Sequence, residues 1–204
     1  MLSSIILAAG ESSRMRGFPK ALLELNGRKF VEIIAGKARA AGITDIVVVV
    51  GAHAGDIKKS ADIAGTKIVF NANWRDGQLS SLRAGIGSLD EESEGFLLTP
   101  CDSPEASEET YKMLADAWKK DKNKIYIPVT RGGRGGHPAV FPRKFYRALM
   151  EEDLKRGAKS IVEKYAADVV RLETPDEGIL SDIDTAEDYA GIKAADNGIR
   201  KDDK

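Results

Sequence analysis

Hydrophobic positions in this chain form two patterns, short apolar runs and helically spaced positions, which alternate along the sequence. The strongest short run, at 45–50, is apolar at every position after its first residue, as expected of a central parallel strand covered on both faces. Between such runs, apolar side chains recur at helical spacing, as at Phe30, Ile33, Ile34 and Ala38. The pattern predicts strands at 4–8, 45–50, 67–70, 95–99, 125–129, 139–141 and 168–172, and helices at 30–41, 56–64, 79–89, 107–120, 143–151, 158–165 and 185–193.

Strands and helices therefore alternate at a spacing typical of βαβ units. This alternation predicts an α/β fold: a single-domain, three-layer α/β/α sandwich around a mostly parallel, Rossmann-like sheet. The domain is expected to span residues 1–194, and the polar tail at 195–204 is expected to be disordered. Because ligands of such sheets bind at the carboxyl ends of the strands, the chemistry should follow directly after strands.

Composition limits the kinds of partner. The 204 residues carry 31 basic and 32 acidic side chains, a formal net charge of −1, which argues against a general nucleic-acid binder. With one cysteine and two histidines, an internal disulfide is impossible and a zinc site of the Cys/His type is not expected. No apolar run approaches the roughly 18 residues of a membrane span, and the N-terminus lacks the basic start of a signal peptide. We expect a cytoplasmic protein that binds neither nucleic acid nor membrane.

The loop after the first strand has the composition of a phosphate-binding loop. Gly10 allows a ligand to approach the backbone closely, and Ser12 and Ser13 add short hydrogen-bond donors. Arg14 and Lys20 add two positive charges, so the loop offers the N–H groups and cations that a polyphosphate requires. Neither G-x-x-x-x-G-K-[ST] nor G-x-G-x-x-G is present, which argues against a P-loop NTPase and against a nicotinamide oxidoreductase. The alternative is an ordinary loop with surface cations.

A single carboxylate, Asp102, follows the strand at 95–99. Mg²⁺ suits this place, because it binds one or two carboxylates together with phosphate oxygens and water. The alternative is that Asp102 only caps the following helix. The neighbouring Cys101 has no evident histidine partner, so it is expected to be a small buried hydrophobe and not a nucleophile.

Two further segments follow strands and suit anions. The segment at 71–82 opens a helix, where free N–H groups are supplemented by serine hydroxyls, the alternative being a cap beside a buried tryptophan. The segment at 131–141 holds four glycines and two arginines, which favour a second anion. Its histidine, His137, either faces that anion or only orders the loop.

Several of these motifs occur together in one known family. The string L-A-A-G-E-S-S-R-M at 7–15, followed by P-K-A-L-L at 19–23, resembles the signature of the MobA-like nucleotidyltransferases. The segments at 71–82 and 131–141 are similar to elements of the molybdenum cofactor cytidylyltransferase branch, and D-I-D-T-A-E-D at 182–188 is close to the family's D-x-D-T-P-E-D. Where the family usually reads R-M-G-x-P-K, this chain has an extra residue, Arg16. The resemblance spans residues 3–190.

The resemblance implies a fold of the nucleotide-diphospho-sugar transferase type, and transfer of NMP from an NTP to a phosphate with release of pyrophosphate. It implies Arg14, Lys20 and Asp102 as catalytic residues, with Mg²⁺ as the cofactor bound by Asp102. Asp184, in preference to Asp182, is expected either as the second metal ligand or as a structural helix cap. The implied nucleotide-binding residues are Leu7, Ala8, Ala9, Gly10, Ser12, Ser13, Arg14, Lys20, Asn73, Gln78, Ser80 and Ser81, and the implied acceptor-binding residues are Arg134, Gly136, His137 and Lys159.

The resemblance also implies the substrates. Ala-Ala-Gly in the first loop accompanies cytidylyl transfer in this family and Ala-Gly-Gly accompanies guanylyl transfer, so Ala8-Ala9-Gly10 favours CTP, with molybdopterin carrying molybdenum as the acceptor. The alternatives are a molybdenum cofactor guanylyltransferase, a cytidylyltransferase that acts on a sugar or polyol phosphate, and a non-catalytic nucleotide-binding module. A monomer or homodimer is expected, and a molybdoenzyme maturation partner that receives the product is compatible with this function.

Overall fold

The computed structural model describes the backbone of residues 1–202 and the side chains of residues 1–194. The described residues form nine strands: β1 (Leu2–Ala8), β2 (Glu24–Leu25), β3 (Arg28–Lys29), β4 (Ile46–Val50), β5 (Lys67–Phe70), β6 (Gly95–Pro100), β7 (Ile125–Val129), β8 (Ala139–Pro142) and β9 (Val169–Glu173). β2 and β3 form a small antiparallel hairpin. The other seven form one sheet in the order β5-β4-β1-β6-β8-β7-β9, in which β8 is antiparallel to both neighbours and the remaining pairs are parallel.

Helices cover both faces of this sheet. They are α1 (Phe30–Ala40), α2 (Ala54–Ser60), α3 (Gln78–Ile86), α4 (Glu108–Lys120), α5 (Tyr146–Glu151), α6 (Lys159–Lys164) and α7 (Ala186–Asp202). Consecutive residues of β1 point to opposite faces, so Ile6 packs into the apolar cluster that contains α1 and α4, whereas Ile5 packs into the cluster of α3, α5 and α6. Each such fully buried side chain stabilises the fold by about 2 kcal/mol. The mostly parallel sheet and the three-layer sandwich predicted from sequence are confirmed.

β1 lies at a topological switch point of the sheet. From β1 the chain crosses through α1 to β4 and then to β5 on one side, and it returns through α3 to β6 on the other side. β1 and β6 are parallel, and their register pairs Leu7 with Pro100. The loops that follow these two strands therefore leave the sheet side by side, at the place where open α/β sheets bind ligands.

The predicted elements are all present, with differences at their ends. The helix predicted at 56–64 begins at Ala54 and ends at Ser60, and residues 143–145 form a 3-10 turn ahead of α5. The last helix extends beyond the predicted 193 to Asp202. Residues 203–204 and the side chains of 195–202 lie outside the described part, so the division into a domain at 1–194 and a disordered tail stays a prediction. Among the described residues, no helix has the length and apolar character needed to cross a membrane.

Candidate active site

The loop after β1 folds back on itself through a tight turn. Ser12, Arg16 and Gly17 all adopt left-handed backbone conformations, with φ of 55°, 53° and 79°. The backbone N–H groups of Met15 and Gly17 donate to the carbonyl oxygen of Ser12, and the Ser12 hydroxyl accepts from the N–H of Lys20 at 3.1 Å. The extra residue Arg16 is thus a turn residue, and the turn brings the two ends of the loop together.

Two cations of this loop meet two carboxylates from distant parts of the chain. The Nζ of Lys20 lies 3.0 Å from Oδ2 of Asp102 and 2.5 Å from Oδ1 of Asp184. Nη1 of Arg14 lies 2.7 Å from the other oxygen of Asp184. The N–H of Ile183 donates to the carbonyl oxygen of Asp102 at 2.9 Å, which ties the segment before α7 to the loop after β6. We call these four charged side chains the catalytic cluster, after the role that the sequence resemblance implies for Arg14, Lys20 and Asp102.

Two side chains of the cluster, Lys20 and Asp184, keep their charges at neutral pH. Burial disfavours the charge of Lys20, but hydrogen bonds and attraction from Asp184 and Asp102 outweigh burial and raise the pKa of Lys20 above its usual 10.5. The hydrogen bond from Lys20 in turn lowers the pKa of the Asp184 carboxyl, against a smaller opposing effect of burial. A largely buried ammonium between carboxylates suits the binding of phosphate charge, because such charges act more strongly away from water.

The structure excludes two helix-capping roles that the sequence left open. Asp102 does not cap α4, because the N-terminal cap of α4 is Ser107, whose hydroxyl accepts from the N–H of Thr110. The carboxylate of Asp184 does not cap α7 either. Thr185 and Asp188 form a reciprocal cap, in which the N–H of each donates to the side chain of the other. Neither carboxylate therefore caps a helix, and both contact Lys20.

A cavity of about 600 Å³ lies between the first loop and the start of α3. It brings together ten of the twelve predicted nucleotide-binding residues with Asp102: Leu7, Ala8, Ala9, Gly10, Ser12, Ser13, Arg14, Lys20, Gln78 and Ser81. The other two, Asn73 and Ser80, are not among the described lining residues. The Ser80 hydroxyl donates to the carbonyl oxygens of Asn73 and Gly77, so these residues shape the turn before α3.

Two residues that support the first loop and the start of α3 were not named individually by the sequence analysis. Asn71 is buried and its amide donates to the hydroxyls of Ser80 and Ser81 at 2.9 and 3.0 Å, which fixes the start of α3. Gly51, after β4, lets Trp74 approach the first loop, since a Cβ at Gly51 would lie 2.5 Å from the carbonyl oxygen of Ala9. The sequence signal for both was the position directly after a strand.

A second cavity, of about 540 Å³, adjoins the first, and Gln78 lines both. All four predicted acceptor-binding residues line it: Arg134, Gly136, His137 and Lys159. Arg156, Arg171 and Asp182 also line it, and Asp182 accepts a hydrogen bond from the Ser103 hydroxyl at 2.8 Å. Of the two aspartates considered as second metal ligand, Asp184 therefore lies at Lys20, and Asp182 faces the second cavity.

His137 is held in place through its backbone, and one nitrogen of its ring has no partner among the described residues. Its N–H donates to the carbonyl oxygen of Ile179 at 2.9 Å, while Nδ1 is buried and has no hydrogen-bond partner among the described residues. Burial lowers the pKa of the imidazole, despite opposing attraction from Asp182 and Asp102, so the ring is neutral at pH 7. An unpartnered ring nitrogen in a cavity wall leaves a hydrogen-bonding position for a ligand.

Cys101 shows no sign of a nucleophile. Cys101 is partly exposed and lines the first cavity, but burial around its thiol raises the pKa of the thiol far above neutrality. The thiolate is the reactive form of cysteine, so a thiol that stays protonated is chemically inert. The expectation of a small hydrophobic side chain behind β6 agrees with its packing against the core cluster of α1 and α4.

Replacing Gly136 with alanine should destabilise the loop that carries Arg134 and His137. The new Cβ would overlap the carbonyl oxygen of Ile179, a backbone atom that cannot move aside cheaply. We expect the free energy of unfolding in denaturant titration to fall by about 2 kcal/mol. The control is Gly132→Ala in the same loop, where the nearest atom, Oγ1 of Thr130, is 3.7 Å away. Equal stabilities of the two variants would contradict the close packing at Gly136.

Comparison with known proteins identifies a family and several relatives that this chain resembles. The MobA-like NTP transferase domain family matches residues 4–170. The nicotine blue oxidoreductase of Paenarthrobacter nicotinovorans is 28% identical over 191 residues, which cover 91% of this chain and 93% of that protein. The molybdenum cofactor guanylyltransferase of Photobacterium profundum is 32% identical over 169 residues, which cover 80% of this chain and 79% of that protein. The crystal structure of Rv0371c from Mycobacterium tuberculosis H37Rv has a TM-score of 0.82 at 25% identity, covering 94% of this chain and 96% of that one.

Proposed function

This chain belongs to the MobA-like NTP transferase family, and we propose that it transfers CMP from CTP to the phosphate of molybdopterin carrying molybdenum. The observation that carries the proposal is the catalytic cluster, in which Lys20 lies between Asp102 and Asp184. The cluster lies beside a cavity that is lined by the loop after β1, and the composition of this loop suits a polyphosphate. The adjoining cationic cavity supports a phosphate-bearing acceptor. The two cavities share Gln78, so donor and acceptor would meet at the start of α3.

The proposed step is a displacement at phosphorus. An oxygen of the acceptor phosphate attacks the α-phosphorus of the nucleotide, a new P–O bond forms, and the bond to the departing pyrophosphate breaks. Positioning and charge neutralisation dominate such reactions. Arg14 and the N–H groups of the first loop hold the β- and γ-phosphates, and Lys20 stabilises charge at the α-phosphate. Both cations now contact Asp184, so each would exchange a carboxylate oxygen for a phosphate oxygen when the nucleotide binds.

The carboxylates of the cluster fit Mg²⁺. Asp102 and Asp184 each direct an oxygen to the same atom, Nζ of Lys20, so their side chains converge. Among the described residues, no group of three or more His, Cys, Asp or Glu side chains is placed to hold a metal. This donor set suits Mg²⁺, which takes one or two carboxylates and completes its shell with phosphate oxygens and water. Bound by Asp102 and Asp184, the ion would neutralise phosphate charge in the reaction.

Thermal stability with each NTP and Mg²⁺ tests the nucleotide. CTP at about 100 times its Kd stabilises the native state by about 2.7 kcal/mol, which raises Tm by roughly 5–10 °C for a chain of this size. We expect a smaller shift with GTP at the same concentration, since Ala8-Ala9-Gly10 supports CTP. A larger shift with GTP would favour the activity named for the Photobacterium relative. No shift with any NTP would contradict the proposal.

The acceptor is tested by product formation. Molybdopterin carrying molybdenum, mixed with CTP and Mg²⁺, should release pyrophosphate in step with a CMP-linked product. Turnover of a polyol or sugar phosphate, but not of molybdopterin, would instead support the related cytidylyltransferase activity. Nucleotide binding without pyrophosphate release from any phosphate acceptor would support a non-catalytic module.

A redox activity is the second candidate, and the Paenarthrobacter relative supports it through its name alone. The first loop lacks G-x-G-x-x-G, and the catalytic cluster suits phosphate charge better than hydride transfer. Loss of NADH or NADPH absorbance in the presence of a dye acceptor, without pyrophosphate release from CTP, would favour the redox activity. Pyrophosphate release without nicotinamide oxidation would exclude it.

The proposed reaction also bears on the cellular partners. Both substrates are small phosphorylated molecules, so the reaction requires neither nucleic acid nor a membrane. We propose the cytoplasm as its location. The choice between monomer and homodimer, and a molybdoenzyme maturation partner that takes over the product, stay predictions.

A further inference from the structure

The second cavity carries more positive charge than one phosphate needs. Its described lining includes four cationic side chains: Arg134, Arg156, Lys159 and Arg171. The lining carboxylate, Asp182, already accepts a hydrogen bond from Ser103. A cationic cavity with so few counter-charges favours an anionic ligand, and more than one anionic group if the cations lie at separate places.

One of these cations, Arg171, lies close to the backbone beside Arg134, at the far side of the cavity. The guanidinium of Arg171 packs against the backbone after Arg134, since a Cβ at Gly135 would lie 3.6 Å from Nη1 of Arg171. Neither arginine has an ion pair or hydrogen bond of its side chain with the side chains and backbone described. A guanidinium group without a protein partner can bind an anionic group through bidentate hydrogen bonds, so both arginines are available to a ligand of the cavity.

The backbone that presents Arg134 is fixed despite its glycines. The carbonyl oxygen of Arg134 accepts from the N–H of Thr130 at 3.0 Å, and the N–H of Gly136 donates to Pro128 at 3.0 Å. Gly135 forms an antiparallel bridge with Val129 at the end of β7. Arg134 is therefore held ready for a ligand, which lowers the entropic cost of binding.

Arg171 lies on a strand that is far from the catalytic cluster. Asp102 follows β6, whereas Arg171 is on β9, and β8 and β7 lie between these strands. Three strand spacings amount to about 14 Å. A phosphate that reacts beside Lys20 and Asp102 thus leaves Arg171 without a partner. Apolar side chains line the intervening space, among them Leu98, Ile127, Phe141 and Ile179.

We propose, on the basis of the proposed transferase function, that Arg134 and Arg171 bind a second anionic group of the acceptor. The acceptor then carries a second anionic group besides its reacting phosphate, and its other parts contact the apolar wall. Arg171 is a specificity-determining residue in this arrangement, because it touches the part of the acceptor that does not react.

Calorimetric titration with two simple probes tests the second anionic site. Hexanediol bisphosphate carries two phosphates on an apolar chain, and hexyl phosphate carries one. We expect the full-length protein to bind the bisphosphate about tenfold more tightly, and Arg171→Gln to remove this preference. The matched control is Arg131→Gln, an exposed arginine of the same loop that is not among the described lining residues, which should keep the preference. Equal binding of both probes by the wild type, or an unchanged preference in Arg171→Gln, would overturn the proposal.

The Tm shift with CTP and Mg²⁺, measured on the same samples, separates this proposal from the transferase function. An intact shift together with equal binding of the two probes would contradict the second anionic site and leave the transferase function standing. An Arg171-dependent preference for the bisphosphate without any NTP shift would confirm the anionic site and contradict the transferase function. An unchanged Tm of unliganded Arg171→Gln would show that the variant is folded.

Discussion

Replacing Lys20 with methionine should lower kcat by about 10³-fold. Lys20 is 9% exposed, and its ammonium lies between Asp102 and Asp184 beside the cavity proposed for the triphosphate. A preorganised charge in such a site stabilises the developing phosphate charge far more than an exposed one would. Methionine keeps the length of the side chain and removes its charge, so the loss reports on electrostatics. The measurement is pyrophosphate release from CTP with molybdopterin carrying molybdenum.

Two controls make this result specific. Lys67→Met removes a cation that pairs with Asp45 at 2.9 Å, outside the cavity linings described, and should leave kcat close to that of the wild type. A Lys20→Met variant with near wild-type kcat would contradict a catalytic role for the ammonium. The wild-type rate provides a further check through its pH profile. The pKa of Lys20 is raised above its usual 10.5, so Lys20 stays charged between about pH 7 and pH 9, and the rate should not fall through its deprotonation in this range.

The layers of the fold could be predicted because they depend on local patterns. The apolar run that became β4 has a buried side chain at every position, and this is what a strand covered on both faces requires. The direction of β8 could not be predicted, because four apolar residues carry no information on whether they run parallel or antiparallel to their neighbours. The hairpin of β2 and β3 has two-residue strands, which are too short for any periodicity to show.

The catalytic cluster could be predicted only in part. The first loop is a contiguous string, so its two cations and small residues were visible in the sequence. The role of Asp184 was left open, because its contact with Lys20 joins residues 164 positions apart. Its sequence context suited a helix cap equally well, until the structure assigned that cap to Thr185 and Asp188.

Arg171, at the far side of the second cavity, shows why a sequence analysis does not identify single site residues on strands. Arg171 is one residue of a strand, without a glycine or proline to mark it. It reaches the cavity because β9 pairs with β7 and the loop after β7 turns back towards it. Charged residues on strands become site residues through tertiary pairing, which periodicity does not record.

Replacing Asp102 with asparagine should lower kcat by about 10²- to 10³-fold and uncouple nucleotide binding from Mg²⁺. Asparagine has the size of aspartate but not its charge, so one of the two carboxylates proposed to hold the ion is lost. In the wild type, CTP should raise Tm more with Mg²⁺ than without it. In Asp102→Asn the two shifts should become nearly equal, because the proposed metal site has lost one of its two carboxylates.

Comparison among aspartates decides whether this effect belongs to the proposed metal site. Asp116→Asn, on the exposed face of α4 beside Lys119, should leave both kcat and the Mg²⁺ effect unchanged. Asp184→Asn should resemble Asp102→Asn in its kcat and in its response to Mg²⁺. In the absence of Mg²⁺, Asp184→Asn should weaken CTP binding less than Lys20→Met does. The reason is that the Asp184 carboxylate competes with phosphate for Arg14 and Lys20, and this variant removes that competitor. Asp182→Asn should keep the Mg²⁺ effect, since Asp182 faces the second cavity and contacts Ser103. Pyrophosphate release that persists unchanged in Asp102→Asn would refute the metal role of this carboxylate.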